Sequence, residues 1–198
     1  AFTTYAHQAF VPAFFFRVHG AELNELASGF GLQAGGFLGI SLGLTTGLAG
    51  ACGIWLGGKL ADLGGKRDLK YYGLVPAIAM VIFVPIQISA LLVSSTTVSL
   101  IIFAPSIFLI SMWIPPFQAT VQSVAPGHMR ATASADGLLV MNLVGLGLGP
   151  LLLGVLSDVL AGQAGLGPAE GLRWALAIFT LMGMASAYMF FRAGSTVQ

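Results

Sequence analysis

The sequence predicts an all-α membrane protein, a bundle of five full transmembrane helices and one partial one. Three observations predict it. Charged residues make up only 8% of the 198-residue chain while 57% are hydrophobic, where an ordinary soluble domain carries roughly 25% charge. Charge-free runs recur at the length a helix needs to cross a ~30 Å hydrocarbon core, and residues 137–157 form one of them. No stretch alternates apolar and polar residues as a membrane β-strand does. Backbone groups in lipid must be satisfied within their own segment, so these runs are helices.

Taken in order, residues 1–16 are apolar and end at Arg17, His19 and Gly20. Sixteen residues at 1.5 Å each reach only ~24 Å. The segment has no basic stretch or cleavage site of a signal peptide, and is expected to be the later part of a helix that starts upstream. The first full span covers residues 27–58. The apolar run from 71 to about 125 is too long for one helix and divides at Ser94-Ser95-Thr96-Thr97 into 71–93 and 98–124. Residues 131–156 and 174–191 complete the set. With spans alternating sides, Lys59, Lys66, Arg67, Lys70, Arg130 and Arg192 share one face, and only Arg17 and Arg173 lie on the other, beside Glu22, Glu25, Asp158 and Glu170. The positive-inside bias makes loops 59–70 and 126–130 and the C-terminus cytoplasmic. The expected location is a bacterial inner (plasma) membrane.

Other function classes lose their footing here. A net charge of +1 offers no basic face for nucleic acid. Cys52 is the single cysteine, and His7, His19 and His128 are scattered, so neither a disulfide framework nor a metal site is expected. Gly145-Leu-Gly-Leu-Gly149 lacks the spacing and the βαβ setting of a dinucleotide site. No cofactor and no enzymatic activity are expected.

Two patterns organise the bundle. Gly53-Ile-Trp-Leu-Gly-Gly-Lys-Leu-Ala-Asp62 and Gly149-Pro-Leu-Leu-Leu-Gly-Val-Leu-Ser-Asp158 align at an offset of 96, sharing Gly53/Gly149, Leu56/Leu152, Gly58/Gly154, Leu60/Leu156 and Asp62/Asp158. Three spans separate the copies, so their aspartates end on opposite faces, as an inverted three-plus-three repeat requires. The repeats would cover about 1–96 and 97–198. In addition, Gly31, Gly35, Gly39, Gly43 and Gly47 form one ridge at a spacing of four, and Gly145, Gly149 and Gly154 form a shorter one. Such ridges let another helix approach closely, either as static packing or as a sliding contact between two bundles.

The stretch Gly58-Lys-Leu-Ala-Asp62-Leu-Gly-Gly65-Lys66-Arg67 resembles the loop signature of the major facilitator superfamily. The basic residue that the signature places after the aspartate is Leu63 here, which fits its second copy, between helices eight and nine. Arg130-Ala-Thr-Ala-Ser-Ala, Asn142-Leu-Val-Gly-Leu-Gly-Leu-Gly149-Pro150, Gly154-Val-Leu-Ser-Asp158 and Pro12-Ala-Phe-Phe-Phe-Arg17-Val-His19-Gly20 look like the Spinster-like branch. The resemblance implies the C-terminal half of a transporter, helices seven to twelve with helix seven truncated. The implied partners are membrane lipids, a missing N-terminal six-helix half, a small amphipathic or lipid-like substrate and a coupled proton. The implied mechanism is alternating access.

The resemblance also implies sites. Gly58, Asp62, Gly65, Lys66 and Arg67 would form a cytoplasmic gate, with Asp62 capping a helix of the other half. The bland alternative is a solvated basic loop. Arg130 and Asp136 join the gate group, and the bland expectation for Asp136 is an ion pair with Arg130 or a loop lysine. Helices seven and ten would line a central cavity, which nominates Tyr5, His7, Gln8, Ser111, Trp113, Gln118 and Gln122, with Asn142 beside them. Interhelical hydrogen bonds would explain the same residues without a substrate. Pro105, Pro115 and Pro116 should break or kink their span. The aromatic residues Phe14, Phe15, Phe16, Trp113 and Phe117 would wall the cavity. Gly35, Gly39, Gly43, Gly47, Gly145 and Gly149 would pack against the other bundle. A non-transporting accessory subunit is the alternative reading. An intramembrane lipid enzyme is disfavoured, since no paired acids or Ser/His/Asp set lies at one depth.

Overall fold

The computed structural model describes residues 1–196, which are helical almost throughout; the expected cytoplasmic C-terminus, at residues 197–198, lies outside the described residues. Nine α-helices follow in order: α1 (Phe2–Val18), α2 (Gly20–Gly29), α3 (Ala34–Gly65), α4 (Tyr71–Leu92), α5 (Thr96–Ser111), α6 (Ile114–Val124), α7 (Arg130–Asn142), α8 (Gly149–Gly162) and α9 (Gly167–Thr196). A 3₁₀ turn at Gly127–Met129 precedes α7, and a π-helical turn at Leu143–Leu148 joins α7 to α8. Among the described residues, five stretches are long and apolar enough to cross a membrane: Ala34–Gly65, Tyr71–Leu92, Thr96–Val124, Gly127–Gly162 and Gly167–Ser195. The chain is an integral membrane protein with an all-α fold.

The first full span departs from the expected 27–58. Residues 20–29 form α2 instead, and Gly31 at φ +67° breaks the chain before α3 begins at Ala34. That backbone region costs a glycine nothing. Gly31 therefore leaves the glycine ridge. At the other end α3 runs on to Gly65, so Asp62 sits in its last helical turns rather than in a loop. Pro115 and Pro116 interrupt the third span between α5 and α6, whereas α5 accommodates Pro105 without a break.

The α1–α2 corner is fastened to the α4–α5 connection. Glu22 accepts the Thr96 backbone N–H at 2.8 Å, the Thr96 hydroxyl at 2.9 Å and the Ser95 hydroxyl at 3.1 Å. It thereby caps a helix start that has no cap of its own. These bonds hold the Glu22 carboxyl below the usual carboxylate range, the Thr96 N–H contributing most. His19 is buried at the same corner against Phe14 and Phe15, and desolvation holds its imidazole below the ordinary histidine range.

Glycine decides which helix backbones meet. A Cβ on Gly53 would overlap the Phe108 carbonyl, and one on Gly57 the Met112 carbonyl, so α3 lies backbone to backbone on the end of α5. Pro116 cannot donate to Met112, four residues earlier, and the hydrogen that a Gly57 Cβ would replace points at that oxygen. Gly149, aligned with Gly53, does the same for α8 and α1: its Cβ would come within 2.9 Å of the Phe2 carbonyl. Gly73 and Gly194 bring α4 and α9 together in the same way. The main apolar core joins α1, α4, α5, α8 and α9 around Phe14, Phe15, Leu91, Phe103, Leu153 and Leu176.

Two outcomes follow. Gly57→Ala is expected to lower stability by about 1–3 kcal/mol through overpacking, whereas Gly36→Ala, where a Cβ meets nothing within 4 Å, should be neutral or stabilising by up to ~1 kcal/mol. Thermal unfolding in detergent separates the two, and equal behaviour would remove the backbone contact as an explanation. For Glu22, a depressed folded pKa means that the stabilisation is complete above the unfolded value of about 4.3. It is lost as pH falls through the lower folded value. Glu22→Gln should abolish that acid-side slope, measured as the melting temperature between neutral and acid pH.

Candidate functional site

One cavity of about 390 Å³ is lined by α1, α3, α4, α5 and the start of α6. Its walls are mainly apolar: Val11, Pro12, Leu42, Phe83, Phe103, Ile107, Ile110 and Ile114. The polar groups on its lining are Thr4, His7, Gln8, Thr46, Gln87, Ser106 and Ser111. Gly43 also lines it while having open space where a Cβ would stand, so the cavity reaches the exposed glycine face of α3.

His7 is buried and fully engaged. Its Nδ1 donates to the Thr3 carbonyl at 2.8 Å, and its Nε2 lies 2.9 Å from the Thr180 hydroxyl, which also reaches the Leu176 carbonyl at 2.8 Å. The single Thr180 hydrogen serves either the Leu176 carbonyl or His7 Nε2, so in a neutral ring protonated at Nδ1 the two contacts alternate. The ring stands edge-on to Phe83. This is a histidine that pins α1 to α9.

Gln87 is different. It is 2% exposed, and its Nε2 has no hydrogen-bond partner. Ser106 and Ser111, by contrast, donate to their own helix at the Ile102 and Ile107 carbonyls. Their oxygens retain lone pairs for another donor.

The remaining residues nominated from sequence separate into groups. His7, Gln8 and Ser111 line this cavity. Tyr5 and Asn142 meet each other outside it, the Tyr5 hydroxyl donating to Asn142 Oδ1 at 3.1 Å. Trp113 is buried between Phe117 and Phe190 with its indole N–H unpartnered, and is not on the cavity. Gln118 and Gln122 lie on α6, away from it. Phe14 and Phe15 are core residues and Phe16 is exposed, so none of the three walls the cavity. Phe117 lines a second, larger and mostly apolar cavity of about 900 Å³ between α4, α6, α7 and α9. These corrections share a cause: in a membrane bundle the same aromatic types fill cores and line cavities, and rotation about the helix axis alone decides which.

At the basic end, Asp62 accepts the Tyr72 hydroxyl at 2.9 Å. Gly58 packs on Pro115, and Gly65 admits the Tyr72 ring, where a Cβ would come within 2.5 Å. Asp68 pairs with Lys70 at 2.8 Å, and that contact holds the carboxyl low and the amine high. Lys66, Arg67, Arg130 and Asp136 are exposed. Asp136 forms no ion pair with Arg130 or a loop lysine among the described residues, contrary to the bland expectation; both residues are exposed.

The glycine ridge divides too. Gly39, Gly43 and Gly47 face open space, and Gly35 meets only the Phe16 ring edge at 4.0 Å. Gly145 and Gly149, expected on the inter-bundle face, instead hold α1 of the same chain. Gly145 is filled by the Tyr5 ring, and Gly149 lies on the Phe2 backbone. No group of three or more metal-ligating side chains exists among the described residues.

Five spans, a corner helix, glycine-mediated crossings and a cavity define a polytopic helical bundle. No protein-family model matches the chain. An MFS-type efflux pump of Mycolicibacterium smegmatis is 29% identical over 161 residues, 81% of this chain and 34% of that protein. A bacterial homologue of the human lysosomal transporter Spinster, inward-facing and unoccupied, superposes with a TM-score of 0.80 at 23% identity, over 98% of this chain and 45% of that one. An inward-facing and occupied structure so described gives 0.72 at 21% identity, over 100% and 46%. The chain thus spans about a third of the curated relative and under half of the solved structures. The chain is similar to these transporters, and its fold is that of about half of the Spinster homologue.

Proposed function

We propose that the chain is the C-terminal six-helix bundle of a secondary active transporter, which works by alternating access on a small amphipathic or lipid-like substrate. The observation that carries this reading is the open glycine face of α3. Lipid tails gain nothing from bare glycine, whereas an apposed helix gains close van der Waals contact. The two glycine-rich spans, Ala34–Gly65 and Gly127–Gly162, are also the two least buried, each with 17% of its apolar window covered. The partner surface is therefore α3 together with α7, and a second six-helix bundle is the occupant proposed for it. The cavity opens on that face through Gly43, and its apolar lining suits an amphipathic ligand better than a sugar.

On this reading the two halves of the chain are inverted repeats. The matched roles of Gly53 against α5 and Gly149 against α1 support that. Lys59, Lys66, Arg67, Lys70 and Arg130 face the cytoplasm of a bacterial inner membrane. Asp62, poised at the end of α3 by Tyr72, acts as the cytoplasmic latch by meeting a helix N-terminus of the partner bundle. A coupled proton belongs to this reading.

Leucine at Gly39 enters open space in this bundle and should leave its fold intact. In the full-length protein it should slow uptake of a fluorescent lysolipid into proteoliposomes about tenfold, the effect of ~1.4 kcal/mol on the barrier between states. Normal transport with an unchanged melting temperature would refute the inter-bundle contact and favour an accessory subunit. Asp62→Asn keeps the volume and removes the charge. Spin-label distances across the cytoplasmic side should then shift toward the inward-facing population; an unchanged distribution leaves Asp62 as a topology residue.

A further inference from the structure

The second cavity, of about 900 Å³, is a space of its own and shares no lining residue with the first. A packed cluster of Met80, Phe83, Ile110 and Trp113 stands between them: Phe83 and Ile110 line the first cavity, while Phe117 and Phe190, packed against the cluster, line the second. From Phe117 to Ala125 the α6 wall rises ~12 Å, most of the ~15 Å of hydrocarbon in one leaflet. The lining is apolar apart from Tyr72, Thr120 and Ser123, and their hydroxyls already donate to Asp62, the Pro116 carbonyl and the Thr120 carbonyl. Water gains little in such a space. The walls are also short of packing, since α6 buries only Pro116 and α7 buries no residue.

The mouth of this cavity lies at the basic end of the bundle. Leu69 and Tyr72 belong to the α3–α4 connection and the start of α4, beside Lys66, Arg67 and Lys70. Ala133 lies one turn from Arg130 on the same face of α7. Two acids of this end are engaged, Asp68 with Lys70 and Asp62 with the Tyr72 hydroxyl; the third, Asp136, is exposed further along α7. Lys66, Arg67 and Arg130 are exposed and form no ion pair among the described residues.

We propose that this cavity holds an acyl chain of a resident anionic phospholipid, whose phosphate lies outside the mouth against Arg130, Lys66 and Arg67. A basic pocket between membrane helices at the cytoplasmic level selects anionic head groups, and a guanidinium takes two phosphate oxygens at once. The acyl chain supplies the contacts that α6 and α7 lack, and it bears on α6 beyond the Pro115–Pro116 break. Such a lipid is a fixed part of the bundle and not a cargo, so the inference stands whether or not the chain belongs to a transporter.

The test is native mass spectrometry of the full-length protein, delipidated in detergent and offered equal amounts of dioleoylphosphatidylglycerol and dioleoylphosphatidylcholine, which share their chains. One phosphatidylglycerol should be retained at least about tenfold more tightly than phosphatidylcholine. Lys66→Gln, Arg67→Gln and Arg130→Gln together should remove that preference and leave phosphatidylcholine retention unchanged. Ala119→Phe, which fills the cavity from α6, should weaken retention of both lipids about tenfold. It should also abolish the rise in melting temperature that phosphatidylglycerol gives the wild type. Val121→Trp makes the same test from the same wall should Ala119→Phe fail to fold. Equal retention of the two lipids by the wild type overturns the proposal. So does phosphatidylglycerol binding that survives the filling variant, which would place the lipid on the basic surface alone.

Discussion

In hydrocarbon, apolarity does not tell a helix which face to bury, because the surrounding lipid is as apolar as a leucine side chain. What remains is how closely two backbones can come. Three crossings in this bundle follow from that constraint. Gly53 and Gly57 set α3 on α5, Gly145 and Gly149 set α8 on α1, and Gly73 with Gly194 sets α4 on α9. The polar bonds then fix register: His7 to Thr180 between α1 and α9, and Glu22 to Thr96 across the corner. The cavity is the space left where α1, α3, α4 and α5 are held apart by aromatic and branched side chains instead of glycine.

The same constraint explains what could be read in advance. Spans are legible because a charge is expensive at membrane depth, and runs without charge therefore mark the helices to within a few residues. The start of α3 was not legible, since residues 27–33 are uncharged although they lie outside the span; a left-handed Gly31 makes the break. The loop signature was legible as a motif, but most of it is the last turns of α3. A ridge of glycines announces a close contact without naming the neighbour. Gly39 and Gly145 read alike in sequence, and only the structure shows the first facing open space and the second filled by Tyr5.

The cavity was the least legible part. Its wall was sought among aromatic residues, yet Phe14, Phe15 and Trp113 are packing residues. Of its polar lining, Thr4, Thr46, Gln87 and Ser106 were not anticipated. A threonine or serine in a membrane helix carries little signal, because its hydroxyl can bond to its own helix, as Ser106 and Ser111 do. Gln87 did carry one: a lone carboxamide in an apolar span has no local way to be satisfied.

The π-helical turn at Leu143–Leu148 is a matter of bookkeeping along the chain. It fits one more residue into a turn than the α-helices on either side. An α-helix advances roughly 100° per residue, so the faces of α7 and α8 are out of phase by about that angle relative to one continuous helix. That offset lets Gly145 and Gly149 turn inward to α1 while Asp136, on the same span, points outward. Deleting one residue there would restore a straight helix and swing Asp136 and its neighbours around the axis together. For this segment the length of the chain, rather than the identity of any side chain, sets which surface is presented.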